Sequence, residues 1–192
     1  MTFPNVLTLL RIGLTFLIIY FLPREGVSAK AWTIVIFALA ALTDYFDGFL
    51  ARKHGLITSF GKIMDPIADK FLILSVFYIF MQMGIFPVWG FVLIFVREAG
   101  LTVYRLFFVG KGTVLSAEKF GKIKTVFQIV TISFVLIYLF LIDLICVSKD
   151  VLNCPVNSSL NLLFMASQGL IYITILLTLL SGMSFFYNQK RS

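Results

Sequence analysis

Residues 44–69 read DYFDGFLARKHGLITSFGKIMDPIAD and place four aspartates between two long apolar runs. Asp44 and Asp47 are three residues apart, so in a helix of about 100° per residue they lie roughly 60° apart on one face. Asp65 and Asp69 are four residues apart and would lie roughly 40° apart on the next helix. Because the connection is short, the two helices can run antiparallel. The stretch therefore predicts two neighbouring helices whose acidic faces oppose each other.

Four clustered carboxylates repel one another, and their desolvation beside apolar helices is unfavourable. A divalent cation would offset both effects, and oxygen ligands favour Mg²⁺, Mn²⁺ or Ca²⁺ over zinc or copper. The alternative, ordinary carboxylates at helix ends, is disfavoured because nearly half of the nine acidic residues fall in this one stretch. The sequence thus predicts a divalent metal site.

The same stretch carries the motif Asp-x2-Asp-Gly-x2-Ala-Arg-x8-Gly-x3-Asp-x3-Asp without a gap or substitution. All eight positions match the signature of the CDP-alcohol phosphotransferases, so the chain resembles that family. Further segments, including residues 4–11, 97–105 and 121–128, are similar to the branch that makes phosphatidylglycerophosphate in bacteria. The resemblance covers roughly residues 3–130.

The resemblance implies a metal-dependent enzyme that transfers the phosphatidyl group of CDP-diacylglycerol to an alcohol and releases CMP. Asp44, Asp47 and Asp65 are then ligands of Mg²⁺ or Mn²⁺, with two ions expected. Asp69 is a further metal ligand or the catalytic base that takes the proton from the acceptor hydroxyl. The branch implies sn-glycerol 3-phosphate as the acceptor and the bacterial cytoplasmic membrane as the location. Members of the family are commonly homodimers, so a homodimer is expected.

The CDP-diacylglycerol pocket is predicted from small and polar residues in and near the motif. By resemblance these are Gly48, Ala51, Arg52, Gly61, Asn5 and Thr8. Gly48 and Ala51 lie on the helical face of Asp44, where close packing of small residues is the alternative interpretation. Arg52 can bridge diphosphate oxygens, or its side chain can extend to lipid headgroups. Asn5, Thr8 and Arg11 recur at helical spacing, and we interpret all three as a nucleotide contact or a lid.

A second group of charges lies in and after the fourth apolar stretch. Arg97 and Arg105 are eight residues apart, about two helical turns, and share a face. Charges inside a membrane segment are functional by default, although Arg97 could simply pair with Glu98 or a motif aspartate. We predict a pocket for the acceptor phosphate that consists of Arg97, Arg105, Lys119, Lys122 and Lys124. For the lysines, ordinary positive charge of a cytoplasmic loop is an equal alternative.

The composition is that of a membrane protein. Of 192 residues, 60% are hydrophobic and only 13% are charged, although the net charge is +7. A nucleic-acid-binding protein of this basicity would show dense basic stripes on a polar background, so no nucleic acid is expected as a partner. The positive charge instead suits anionic lipid headgroups and phosphorylated substrates.

Six apolar stretches, each near the ~20 residues that cross a bilayer, predict an all-α membrane protein with six transmembrane helices in one domain, residues 1–192. They run over about residues 9–22, 31–50, 61 or 67 to 86, 87–109, 125–145 and 160–187, with a basic loop at 110–124. With the N-terminus inside, only Arg24, Lys30 and Lys149 among the Lys and Arg residues fall outside. The positive-inside rule therefore places the N- and C-termini and the acidic motif in the cytoplasm. The first stretch lacks a basic start and a small-residue cleavage site, so we expect it to be retained.

Three alternatives stay open at this point. A cardiolipin synthase, or another phosphatidyltransferase of the family, would use a different acceptor, and a neutral lipid acceptor has less need of Arg97 and Arg105. A cation transporter could use four aspartates as an ion path, but the outer halves of the stretches are almost wholly apolar. On the outer side, Cys146 and Cys154 could form a disulfide or remain two thiols.

The first testable prediction concerns the metal. We expect chelation of divalent cations to abolish turnover, because four carboxylates without a cation would repel the substrate phosphates. Added Mg²⁺ or Mn²⁺ should restore it, as measured by CMP release. Full activity in excess chelator would contradict the metal site.

Overall fold

The computed structural model describes residues 3–54, 59–109, 119–146 and 158–189, and every regular element in these ranges is an α-helix. The helices are α1 (Phe3–Phe21), α2 (Val27–His54), α3 (Ser59–Gln82), α4 (Val88–Val109), α5 (Lys119–Cys146) and α6 (Ser158–Gln189). The all-α prediction is confirmed for these ranges. The first half of the acidic motif ends α2, and the second half begins α3, as the sequence predicts.

A left-handed glycine ends α3 earlier than the sequence indicates. Gly84 has φ 73°, and the amides of Ile85 and Phe86 both donate to the carbonyl of Phe80, at 2.9 and 3.1 Å. This backbone conformation is available to glycine at little energetic cost and is a common way to terminate a helix. The helix therefore ends at Gln82, and the predicted continuation to Phe86 is wrong.

The basic segment before Thr125 is helical in its last part. Because α5 begins at Lys119, the lysines at 119, 122 and 124 lie on a helix, and the predicted loop extending to Lys124 is wrong there. Residues 110–118 lie outside the described ranges.

The first of two compact units comprises Met1–Ile79 and Leu139–Cys154. Within it α1 packs against α2. Its buried core includes the apolar side chains of Ile18, Leu22, Phe37, Val76 and Phe77.

A buried lysine closes the turn between α1 and α2. Lys30 Nζ donates to the carbonyl oxygens of Leu22 and Arg24, both at 2.7 Å. Gly26, with φ 106°, donates its amide to Asp143 Oδ2 at 3.0 Å. Lys30 precedes the second predicted apolar stretch, and the structure places it on α2 with 4% of its surface exposed. Its ammonium satisfies two carbonyls just beyond the end of α1.

The second compact unit comprises Phe80–Tyr138 and Pro155–Ser192, and within it α4 packs against α6. Gly90 leaves room at this contact for the tip of the Ile175 side chain: a Cβ atom there would lie 2.5 Å from Ile175 Cδ1 and 3.2 Å from the ring atoms of Phe86 and Pro87. Small residues are common where membrane helices pack against each other. The core of this unit includes Ile94, Ile132, Leu136 and Ile171.

Many described helices expose apolar side chains and bury polar ones. Phe16, Val103 and Leu162 are 59%, 66% and 68% exposed, whereas Thr15 and Thr131 are fully buried. A soluble bundle has the opposite distribution. Helices whose outer surfaces meet lipid instead of water account for the pattern.

Two of the described helices contain an apolar segment long enough to cross a membrane, Ile123–Ile145 in α5 and Leu160–Ser184 in α6. The apolar segments of α1 and α2 are shorter, Leu7–Phe21 and Val27–Thr43. Length and composition thus identify two candidate spans in the described ranges, and the six-span topology and its orientation stay predictions.

The α4–α6 contact gives a matched pair of variants. Gly90→Ala should have a lower melting temperature than Gly100→Ala. Both variants gain helix propensity, but only Gly90→Ala forces a Cβ atom against Ile175. At Gly100 no atom lies within 4 Å of an added Cβ. Overpacking of this kind costs about 1–3 kcal/mol. Thermal unfolding in detergent measures the difference. Equal melting temperatures would contradict the close approach.

Candidate functional site

Asp69, on the second half of the motif, is held by a buried arginine of α1. Arg11 Nη1 donates to Asp69 Oδ1 in a salt bridge that joins residues 58 positions apart in the chain. The arginine side chain is 1% exposed and the aspartate side chain 40% exposed. The carboxylate is thus anchored on its inner side and still accessible.

Because Arg11 is buried, the loss of its salt bridge to Asp69 would destabilise the protein. A guanidinium is always ionised, and a buried charge without a partner is strongly destabilising. Thr15 supports the same turn of α1, since its Oγ1 donates to the carbonyl of Arg11 at 2.8 Å. The structure pairs Arg11 with a motif aspartate; its interpretation from sequence as a nucleotide contact or lid stays a prediction.

Of the residues predicted to bind metal or CDP-diacylglycerol, the structure describes the side chains of Asp69 and Thr8. Asn5, Asp44, Asp47, Gly48, Ala51, Arg52, Gly61, Asp65, Arg105, Lys119 and Lys122 lie outside the residues whose side chains are described, as do Cys146 and Cys154. Thr8, three residues before Arg11, is buried with 1% of its surface exposed. The proposed contacts of these residues with metal, nucleotide or acceptor stay predictions.

The acidic motif is where a hard divalent cation is predicted to bind. Both motif segments are helical, all four candidate ligands are carboxylates, and the carboxylate that can be observed is accessible. Oxygen donors of this kind bind Mg²⁺ or Mn²⁺ in preference to softer metals. Asp44, Asp47, Asp65 and Asp69 are therefore the residues that could hold the metal.

A second cluster of charges brings together α4, α5 and α6, and we call it the Glu98 cluster: Arg97, Glu98, Lys124 and Ser181. Glu98 Oε1 accepts from Arg97 Nη1 at 2.9 Å and from Lys124 Nζ. Arg97 Nη2 donates to Ser181 Oγ at 2.7 Å. Two cations and one anion leave the cluster with one net positive charge.

Burial divides the two cations of this cluster. Lys124 and Glu98 are 3% and 2% exposed, whereas the side chain of Arg97 is 15% exposed. Arg97 also lies along α6, since a Cβ on Gly182 would be 3.5 Å from its Cγ. The sequence anticipated that Arg97 could pair with Glu98, and this is confirmed.

Two members of the cluster were not predicted as site residues. Glu98 was considered only as a partner of Arg97, although a carboxylate in an apolar helix is itself a signal. Ser181 gave no signal, because serine is a common small residue in membrane helices and no motif surrounds it.

Comparison with known proteins gives this geometry a context. The family model described as CDP-alcohol phosphatidyltransferase matches residues 1–180. A relative from Bacillus subtilis, named CDP-diacylglycerol–glycerol-3-phosphate 3-phosphatidyltransferase, is 38% identical over 147 residues, which are 70% of this chain and 76% of the relative.

Two further relatives carry related names. A probable phosphatidylglycerophosphate synthase of Mycobacterium tuberculosis is 46% identical over 133 residues, 67% of this chain and 62% of that protein, so the match spans less than two thirds of its length. A CDP-diacylglycerol–glycerol-3-phosphate 3-phosphatidyltransferase of Rickettsia felis is 32% identical over 188 residues, 98% of this chain and 95% of the relative.

Proposed function

Because the chain belongs to the CDP-alcohol phosphatidyltransferase family, we propose that it transfers the phosphatidyl group of CDP-diacylglycerol to sn-glycerol 3-phosphate, giving phosphatidylglycerophosphate and CMP. The observation that carries the proposal is the 38% identity over 147 residues to a relative named for this reaction. The unbroken eight-position motif, with an anchored and accessible Asp69, supports it.

The reaction is a displacement at the phosphorus that carries the diacylglycerol. A hydroxyl oxygen of the acceptor forms a bond to this phosphorus, the bond to the bridging oxygen breaks, and CMP leaves with that oxygen. Divalent cations held by the motif aspartates would neutralise the diphosphate and stabilise the leaving group. Asp69 would take the hydroxyl proton or hold a second cation. Arg11, through its salt bridge, would fix the direction of the Asp69 carboxylate.

The remaining binding residues follow the resemblance. Gly48, Ala51, Arg52, Gly61, Asn5 and Thr8 are proposed for CDP-diacylglycerol, and Arg97, Arg105, Lys119 and Lys122 for the acceptor phosphate. Lys124, which the sequence groups with them, is paired with Glu98. The ions are Mg²⁺ or Mn²⁺, two in number. A guanidinium favours phosphate because it can donate two parallel hydrogen bonds.

We also propose the cellular setting. The chain forms a single domain with six transmembrane helices in the bacterial cytoplasmic membrane, termini and site facing the cytoplasm, and acts as a homodimer. The reason for this location is physical: the acyl tails of the donor stay in lipid, whereas CMP and glycerol 3-phosphate are soluble in water. A site at the cytoplasmic interface gives both access to the reacting phosphorus.

An acceptor panel tests the function. Purified protein with CDP-diacylglycerol and Mg²⁺ should release CMP and form phosphatidylglycerophosphate when glycerol 3-phosphate is added. Serine, inositol phosphate and phosphatidylglycerol should give little or no lipid product. Turnover of phosphatidylglycerol without turnover of glycerol 3-phosphate would instead favour a cardiolipin synthase.

The salt bridge of Asp69 gives a second prediction. Arg11→Ala should lower kcat at least about tenfold, since a charge-assisted hydrogen bond is worth roughly 1.5–3 kcal/mol and the carboxylate loses its anchor. Arg11→Lys should restore part of the activity. Arg24→Ala is the matched control, because it removes an exposed arginine that lies over the Tyr20 ring at 3.8 Å. An unchanged kcat in folded Arg11→Ala protein would show that the anchor has no part in turnover.

A further inference from the structure

Arg97 and Lys124 differ in their surroundings within the Glu98 cluster, although the sequence predicts both as ligands of the acceptor phosphate. Lys124 and Glu98 are almost fully buried and bonded to each other, so a phosphate could reach the ammonium only if the pair opened. Arg97 is more exposed, and among the described residues its Nη1 and Nη2 each have one hydrogen-bond acceptor, Glu98 and Ser181. Because each of these nitrogens carries two N–H groups, one on each is left for a ligand oxygen.

Two bonds fix the direction of Arg97. Its Nη1 is bonded to Glu98 at 2.9 Å and its Nη2 to Ser181 at 2.7 Å, and these partners come from α4 and α6. The side chain also lies beside Gly182, where a Cβ atom would be at ordinary contact distance, 3.5 Å from Arg97 Cγ. A long side chain held in this way loses less freedom on binding a ligand, which raises affinity.

Lys124 shares the carboxylate of Glu98 with Arg97. If Glu98 paired with Arg97 alone, the carboxylate would cancel the charge of the guanidinium. Because Lys124 also donates to Glu98, the carboxylate compensates Arg97 only in part. Compensation of the buried carboxylate also removes the penalty of an unpaired charge.

We infer that Glu98 and Ser181 are positioning residues that hold Arg97 for the acceptor phosphate, and that Lys124 is the counter-ion of Glu98 and not a phosphate ligand. The inference rests on the proposed function and refines its acceptor site. It also makes α6, for which the sequence gave no role, a part of that site.

Ser181→Ala is the gentlest test, because it removes one hydroxyl and leaves no buried charge unpaired. The KM for glycerol 3-phosphate should rise roughly threefold to tenfold, the size of one hydrogen bond. The KM for CDP-diacylglycerol and the melting temperature should stay unchanged, and Ser181→Thr, which keeps the hydroxyl, should recover much of the loss.

Ser167→Ala is the matched control. Ser167 is also a buried serine of α6, but its Oγ donates to the carbonyl of Phe164 in the same helix at 2.7 Å. This variant should leave both KM values at the wild-type level. If Ser181→Ala does the same, or if both KM values rise together in it, Ser181 does not position Arg97.

The role of Glu98 is tested with and without Lys124. Glu98→Gln should raise the KM for glycerol 3-phosphate; a lower KM would mean that the carboxylate competes with the phosphate and would overturn the inference.

Glu98→Gln combined with Lys124→Gln removes both partners of the buried pair, which helix bundles tolerate better than the loss of one. The double variant should show no further rise in KM, whereas an additional rise would make Lys124 a phosphate ligand.

The wild-type assay separates this inference from the function itself. If wild-type protein does not use glycerol 3-phosphate, the proposed function fails before any variant is compared. If it does use glycerol 3-phosphate and Ser181→Ala behaves like Ser167→Ala, only the positioning inference fails.

Discussion

A charge inside an apolar helix bundle must be paired, because an unpaired buried charge is destabilised by several kcal/mol. The structure meets this constraint twice, with the Arg11–Asp69 salt bridge in one compact unit and the Glu98 cluster in the other. The salt bridge joins α1 to α3, and the cluster joins α4 to α5 and α6. Asp69 and Arg97, which are proposed to act on substrate, therefore also take part in the bonds that join helices.

Several buried threonines satisfy a similar constraint with hydrogen bonds. Thr15 and Thr178 donate to carbonyls of their own helix, so their hydroxyls need no partner from elsewhere. Thr131 and Thr174 share a hydrogen bond of 2.7 Å between α5 and α6. With apolar side chains on the exposed surfaces, such bonds and close contacts such as that of Gly90 have to supply the specificity of packing that hydrophobic burial supplies in water.

The position of α6 changes how the acceptor site is understood. Its apolar sequence is that of a simple membrane anchor, yet Ser181 and Gly182 lie against the arginine proposed to bind the acceptor phosphate. The proposed site thus draws on a helix that is far from the acidic motif along the chain. A division of the chain into a catalytic part and an inert anchor does not fit this contact.

By itself the sequence determined the helical class, the phase of the four aspartates on their helices and the family, because apolar run length, a 3.6-residue period and eight spaced positions are local properties. It also indicated that Arg97 could pair with Glu98 or a motif aspartate. Only the tertiary structure decided the partners of Arg11 and Arg97 on other helices: Asp69 is 58 positions from Arg11, and Ser181 is 84 positions from Arg97. A helical period specifies the face on which a side chain lies but not which helix packs against that face. The end of α3 at Gly84 and the burial of Lys30 likewise depended on backbone bonds that composition does not encode.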